Sequence, residues 1–180
     1  RVWDSQSGAE IARLNHDSYV IAVSFSPDGR TVATASDDDT ARVWDSQSGA
    51  EIARLNHDSS VYAVSFSPDG RTVATASADD TARVWDSQSG AEIARLNHDS
   101  SVYAVSFSPD GRTVATASGD ATARVWDSQS GAEIARLNHD SSVYAVSFSP
   151  DGRTVATASG DATARVWDSQ SGAEIARLNH

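Results

Sequence analysis

The chain contains no cysteine, no methionine and no lysine. Without cysteine, neither a disulfide framework nor a zinc–thiolate site can form, and the redox compartment stays open. Without methionine, Arg1 is not expected to be a natural translation start, so the 180 residues read as a processed, excised or partly represented chain. All 14 basic residues are arginine, and against 25 acidic residues they leave a net charge of −11. Such a chain, with no basic stripe, repels phosphate backbones and anionic lipid, which disfavours nucleic-acid and membrane partners. No apolar run is long enough to span a bilayer, and no signal-peptide pattern opens the chain. A soluble protein is expected, cytoplasmic if natural; the sequence assigns no other compartment.

What is present is repetition, the first thing to seek in a sequence. Arg1-Val2-Trp3-Asp4 returns at Arg42, Arg83, Arg124 and Arg165, 41 residues apart each time, so the chain is four periods and sixteen residues. Within a period, Val61–Phe66 is a run of β-branched and aromatic residues, and Ser67-Pro68-Asp69-Gly70 is a turn with proline and glycine at suitable positions. Thr72–Ser77 alternates, Ala78-Asp79-Asp80 turns, Thr81–Trp85 forms a third run, Ser87-Gln88-Ser89-Gly90 turns again, and Ala91–Leu96 ends the period. Segments this short, bounded this often, predict four strands per period and leave no room for an ordinary helix. The Ala91–Leu96 run has helix-forming composition, but its bounding turn favours an outer strand, and Glu92 and Arg95 suit a solvent edge. A four-stranded unit cannot bury both faces alone, so the units are expected to stack around an axis.

Asn56-His57, Val64-Ser65-Phe66-Ser67-Pro68-Asp69-Gly70, Ala76-Ser77-Ala78-Asp79-Asp80-Thr81 and Val84-Trp85-Asp86 together resemble the WD-repeat propeller pattern, in phase along the whole chain. The family's usual Gly-His is Asn-His here, at Asn15-His16 and its repeats. The resemblance implies an all-β propeller of four-stranded antiparallel blades, with the Val61 segment innermost and the Ala91 segment outermost. Full blades would cover 17–57, 58–98, 99–139 and 140–180. Residues 1–16 would be a half-blade holding only the third and fourth strands.

Each period also carries a serine, a histidine and an aspartate, the residue types of a hydrolytic triad. The family pattern implies a structural use instead, a buried hydrogen-bond brace running indole, hydroxyl, imidazole, carboxylate. Its members would be His16, Ser36, Asp38 and Trp44; His57, Ser77, Asp79 and Trp85; His98, Ser118, Asp120 and Trp126; His139, Ser159, Asp161 and Trp167. A catalytic version needs an exposed serine and an oxyanion hole, which nothing in the repeat suggests, so no enzyme, catalytic residue or cofactor is expected. Asp37-Asp38-Asp39 offers oxygens for a hard cation, but Asp38 belongs to the brace and no ligand-spaced loop follows, so no metal site is expected either. Arg42 and its copies read as charge balance beside these turns.

Residues 83–123 and 124–164 are identical, which marks recent amplification or deliberate construction. The first period departs at Tyr19, Ile21, Asp37 and Asp39, the second at Ala78 and Asp80. These positions fall at the loop into the first strand or the loop out of the second, which the resemblance places on one rim. Candidate partner-binding residues are Tyr19, Ile21, Asp37, Ser60, Tyr62, Ala78, Ser101, Tyr103, Gly119, Ser142, Tyr144 and Gly160, facing a protein or peptide. The alternative is a structural, self-assembling unit with no evolved ligand. Either way, four and a half blades leave two uncovered faces, and a head-to-tail homodimer closing the ring is expected, with eight full blades or nine units.

Overall fold

The computed structural model describes residues 1–179; His180, the end of the fourth expected blade, lies outside the described residues. Eighteen strands and no helix are found among the described residues. A hairpin of β1 (Val2–Trp3) and β2 (Glu10–Ala12) comes first. The first four-stranded sheet holds β3 (Val20–Phe25), β4 (Thr31–Ser36), β5 (Thr40–Asp45) and β6 (Glu51–Asn56). The second holds β7 (Val61–Phe66), β8 (Thr72–Ser77), β9 (Thr81–Asp86) and β10 (Glu92–Asn97). The third holds β11 (Val102–Phe107), β12 (Thr113–Ser118), β13 (Thr122–Asp127) and β14 (Glu133–Asn138). The fourth holds β15 (Val143–Phe148), β16 (Thr154–Ser159), β17 (Thr163–Asp168) and β18 (Glu174–Asn179). Every sheet is an antiparallel meander in chain order, and the first strands β3, β7, β11 and β15 lie side by side in succession. These are the blades of a propeller around the axis lined by the first strands.

The register explains how blades stack. In the second blade Val73 pairs with Trp85 and Thr75 with Arg83, so these four residues share one face. Ala74, Ala76, Ala82 and Val84 share the other. The bulky face of each blade therefore meets the small face of the one before. Val61, Val64, Phe66, Val73 and Trp85 pack on Ala33, Ala35, Ala41, Val43 and Leu55 of the first blade. Large-on-small packing lets the sheets interlock without voids, and two further junctions repeat it.

Val61, Val64 and Phe66 could not share a face in an unbroken strand, because 61 and 64 differ in parity. A bulge between Val61 and Ala63 resolves this: Val61 pairs with Ser77, Ala63 with Ala76, and Tyr62 is the extra residue. Tyr62, Tyr103 and Tyr144 thus sit on bulges inside the innermost strands, as the Val61–Phe66 run implied, and Ile21, grouped by its variability with the entry loop, lies within its strand as well.

The turn between second and third strands requires positive φ at one residue: Asp39 at 63°, Asp80 at 65°, Ala121 at 64° and Ala162 at 64°. Aspartate tolerates this region, whereas alanine's Cβ crowds the following carbonyl at a cost of about 1–2 kcal/mol. Ala121→Gly is expected to raise stability by roughly 0.5–1 kcal/mol, the strain relief minus glycine's extra unfolded-state entropy. The urea midpoint measures it, and an unchanged or lower midpoint would show that the turn is unstrained.

Candidate functional site

The chemistry-bearing side chains of each blade converge between the first-strand loop and the second and third strands. In the second blade, the Trp85 indole N–H donates to Thr75 Oγ1 at 2.8 Å. Thr75 Oγ1 lies 2.7 Å from His57 Nε2, and His57 Nδ1 lies 2.9 Å from Asp79 Oδ2. The carboxylate can only accept, so Nδ1 carries the proton and Nε2 accepts from the threonine hydroxyl. The imidazole also meets the indole edge-on, ring centres 5.7 Å apart. The first, third and fourth blades repeat the chain through Thr34, Thr116 and Thr157.

The hydroxyl is therefore a threonine, which corrects the assignment of Ser36, Ser77, Ser118 and Ser159 to the middle of the brace. The reason is register. Val73 stands opposite Trp85, so Thr75 is the next same-face residue along β8, about 7 Å on, while Ser77 is about 13 Å away. Ser77 does other work: its hydroxyl donates to the carbonyls of Ser59 and Ser60 at 3.0 Å and accepts from the Asp79 N–H at 3.1 Å. Ser118 and Ser159 make the same kind of tie, and Ser36 accepts from the Asp38 N–H.

Asp79 has further partners. Thr81 reaches its Oδ1 through the hydroxyl at 2.6 Å and the backbone N–H at 3.0 Å, and the Asp58 N–H donates to Oδ2 at 3.1 Å. Arg83, only 4% exposed, donates to Asp79 Oδ2 at 2.7 Å, Asp58 Oδ2 at 3.2 Å, the Asn56 carbonyl at 3.1 Å and Thr81 Oγ1 at 3.0 Å. Its guanidinium carbon stands 5.8 Å from the centre of the Trp85 ring. The arginine read from sequence as charge balance is thus a buried member of the brace, as are Arg42, Arg124 and Arg165.

Burial holds the His57, His98 and His139 imidazoles below the ordinary histidine value, against the opposing pull of the paired aspartates. For Asp79, burial pushes the carboxyl up, but the bonds from His57, Thr81 and the Asp58 N–H outweigh it and hold the group far below the usual carboxylate range. A neutral imidazole facing an ionised carboxylate follows. No buried polar side-chain atom is left without a partner among the described residues, so the brace is closed upon itself. Trp85→Phe is expected to lower stability by about 1–3 kcal/mol, since Thr75 loses its donor in a dry setting. Urea unfolding with a loss near zero would contradict the bond.

The second cluster lies on the rim beside these loops. Ring centres of Tyr62 and Tyr103 are 6.0 Å apart, and those of Tyr103 and Tyr144 are 5.5 Å apart, forming a ladder across three blades. Gly119 and Gly160 lie under the tyrosines: a Cβ on Gly119 would stand 3.1 Å from the Tyr103 hydroxyl and 2.9 Å from Ser100 Oγ. The Ala78 N–H bonds the Ser60 carbonyl, and Gly119 and Gly160 bond Ser101 and Ser142 likewise. In the first blade, Asp37 bonds Tyr19, which is 81% exposed, and Ile21 replaces the ladder tyrosine. The loop-entry aspartates Asp17, Asp58, Asp99 and Asp140 project into solvent around the same rim. No group of three or more acidic or imidazole side chains is placed to hold a metal ion among the described residues.

The family described as WD domain, G-beta repeat matches residues 8–45, 49–86, 90–127 and 131–168. The chain belongs to the WD-repeat family. Its WD repeats begin in one blade and end in the next, because each match starts at an outer-strand turn and stops at the tryptophan strand. Among solved structures, one that it resembles is a crystal structure of the computationally designed Ika8 protein, 30% identical, with a TM-score of 0.89. The match covers 99% of this chain and 55% of that one, so this chain spans little more than half the neighbour's length. No curated protein matches it. WD-repeat propellers are generally non-catalytic scaffolds.

Proposed function

We propose that this WD-repeat chain is a non-catalytic platform that binds a protein or peptide on its tyrosine-bearing rim. The carrying observation is the Tyr62–Tyr103–Tyr144 ladder, stepping from blade to blade beside exposed aspartates. Aromatic faces attract guanidinium and ammonium groups, and a surrounding negative field steers them in. The rim therefore suits a cationic peptide. The brace supplies rigidity: its indole, hydroxyl, imidazole, carboxylate and guanidinium satisfy one another. A peptide array should capture arginine- and lysine-rich sequences with an affinity that falls as salt rises. Tyr62→Ala, Tyr103→Ala and Tyr144→Ala combined should abolish capture while leaving the β-sheet spectrum intact. Absence of any peptide above background, or capture indifferent to the tyrosines, would overturn this reading.

A second reading is favoured by the identity of residues 83–123 and 124–164 and by the likeness to a designed protein: a constructed structural unit without a ligand. The same array separates the two.

A further inference from the structure

Two blade faces of the 180-residue chain are open. On the first blade, Val20, Val23 and Phe25 are 49%, 63% and 56% exposed, although their counterparts Val61, Val64 and Phe66 are buried against the preceding blade. On the fourth blade, Ala156 and Ala158 of β16 are exposed, and Leu178 is 60% exposed, although Ala33, Ala35 and Leu55 of the first blade are covered. The open faces are the bulky and the small half of one junction that the chain makes three times internally. Each therefore fits the other, and they lie at opposite ends of these 180 residues, so a second copy can bring the two halves of the junction together.

The β1–β2 hairpin stands in the way. It covers the outer half of the first blade's bulky face, with Val2, Ala12 and Leu14 on Val32. It leaves the inner half as a cavity of about 350 Å³ lined by Trp3, Leu14, Val20, Val23, Phe25 and Val32. In the internal junctions that space holds the inner strands of the preceding blade. Residues 1–16 have the same sequence as residues 165–180. A second copy's β17–β18 can therefore make every contact the hairpin makes, and its β15–β16 can fill the cavity as well.

We infer that two copies close head to tail, and that the β1–β2 hairpin is a placeholder which the partner's β17–β18 displaces. Three observations support displacement over coexistence. The hairpin is the lesser occupant: β1 and β2 are two and three residues long, against six for β17 and β18, and Trp3 is 52% exposed where Trp167 is buried. The exchange also buries Val20, Val23 and Phe25, which the hairpin leaves wet, and apolar burial drives association. Finally, the chain takes up 55% of the length of the neighbour it superposes on with a TM-score of 0.89, so two copies that both kept their hairpins in place would overfill a ring of that size. Head-to-tail contacts of this kind form a closed ring when the rotation closes.

Light scattering on the full chain tests this independently of the rim tyrosines. The expected mass is twice the 19.0 kDa of one chain. Val23→Asp, at a site already exposed in the single chain, should weaken the dimer at least 100-fold with an unchanged far-ultraviolet spectrum. The hairpin can be locked in place by Ala12→Cys with Gly49→Cys, since a Cβ at Gly49 stands 3.3 Å from the Ala12 Cβ and the chain has no other thiol. The oxidised protein, its disulfide confirmed by thiol titration, should be monomeric and should dimerise on reduction. A monomeric unmodified chain, or a dimer indifferent to Val23→Asp, would overturn the interface. A dimer equally stable with the hairpin locked would overturn its displacement.

Discussion

Arg83→Leu is expected to cost about 3–5 kcal/mol, because it strands a buried carboxylate. Arg83 and Asp79 are each about 5% exposed at the side chain, and their 2.7 Å contact is the direct charge pair of the brace. Leucine would fit the apolar side of the slot but would leave Asp79 with only neutral donors: His57, Thr81 and the Asp58 N–H. It would also leave the Asn56 carbonyl without the guanidinium that binds it. The Asp58 pair adds little, since that carboxylate is 84% exposed and screened by water. Arg83→Lys should fall between wild type and leucine, for an ammonium cannot hold four acceptors in a fixed plane. Arg83→Leu combined with Asp79→Asn should recover part of the loss, since the uncompensated charge is gone. Denaturant midpoints measure all three. A loss below about 1 kcal/mol for Arg83→Leu would mean that water reaches the carboxylate.

The arginine's place was readable in principle. Thr81, Arg83 and Trp85 alternate, so they share a face, and the tryptophan marks that face as the one packed on the neighbouring blade. An arginine between threonine and tryptophan on a buried face has to be paired. Its sequence position beside acidic turns hid this by offering an easier reading. The threonine was readable in the same way: the short Ala78–Asp80 turn sets Ala76 against Ala82, and counting outward puts Val73 opposite Trp85 and Thr75 next to it. The resemblance placed Ser77 in the brace, whereas the register sets it two residues beyond Thr75.

The blades themselves were plain in the sequence, because the 41-residue spacing and the proline and glycine turns leave only short strands. The bulge was less plain, yet its trace is there. Val61, Val64 and Phe66 are the large wholly apolar residues of that strand, and they can face one neighbour only if an extra residue intervenes. Tyr62 is that residue, which is why its side chain leaves the packed face and carries the rim ladder. What no single-chain pattern could show is the strain at Ala121 and Ala162, since alanine gives no local sign of positive φ.

Acid should unfold the protein in two stages, and the first should begin well above the carboxylate range. Burial keeps the brace imidazoles below their usual 6.5, so below that pH the unfolded chain takes up protons that the folded one refuses. Stability is fully present above 6.5 and declines as pH falls, by at most about 1.4 kcal/mol per pH unit for each histidine. Four braces titrate in this window, through His16, His57, His98 and His139, so the combined slope is several times that of one site. The brace aspartates act later and with the same sign. Their folded values lie far below 3.8, so near pH 4 the unfolded carboxylates begin to bind protons while the folded ones stay ionised. Urea midpoints should be level from pH 8 to 7, fall from about 6.5, and fall further from about 4. Proton uptake on unfolding at pH 5.5, followed in weakly buffered solution, should exceed one per chain. A midpoint that holds steady from pH 7.5 to 5.5 would mean that these imidazoles accept protons without leaving their places, and that the indole–threonine–imidazole–aspartate chain tolerates a charge at its centre.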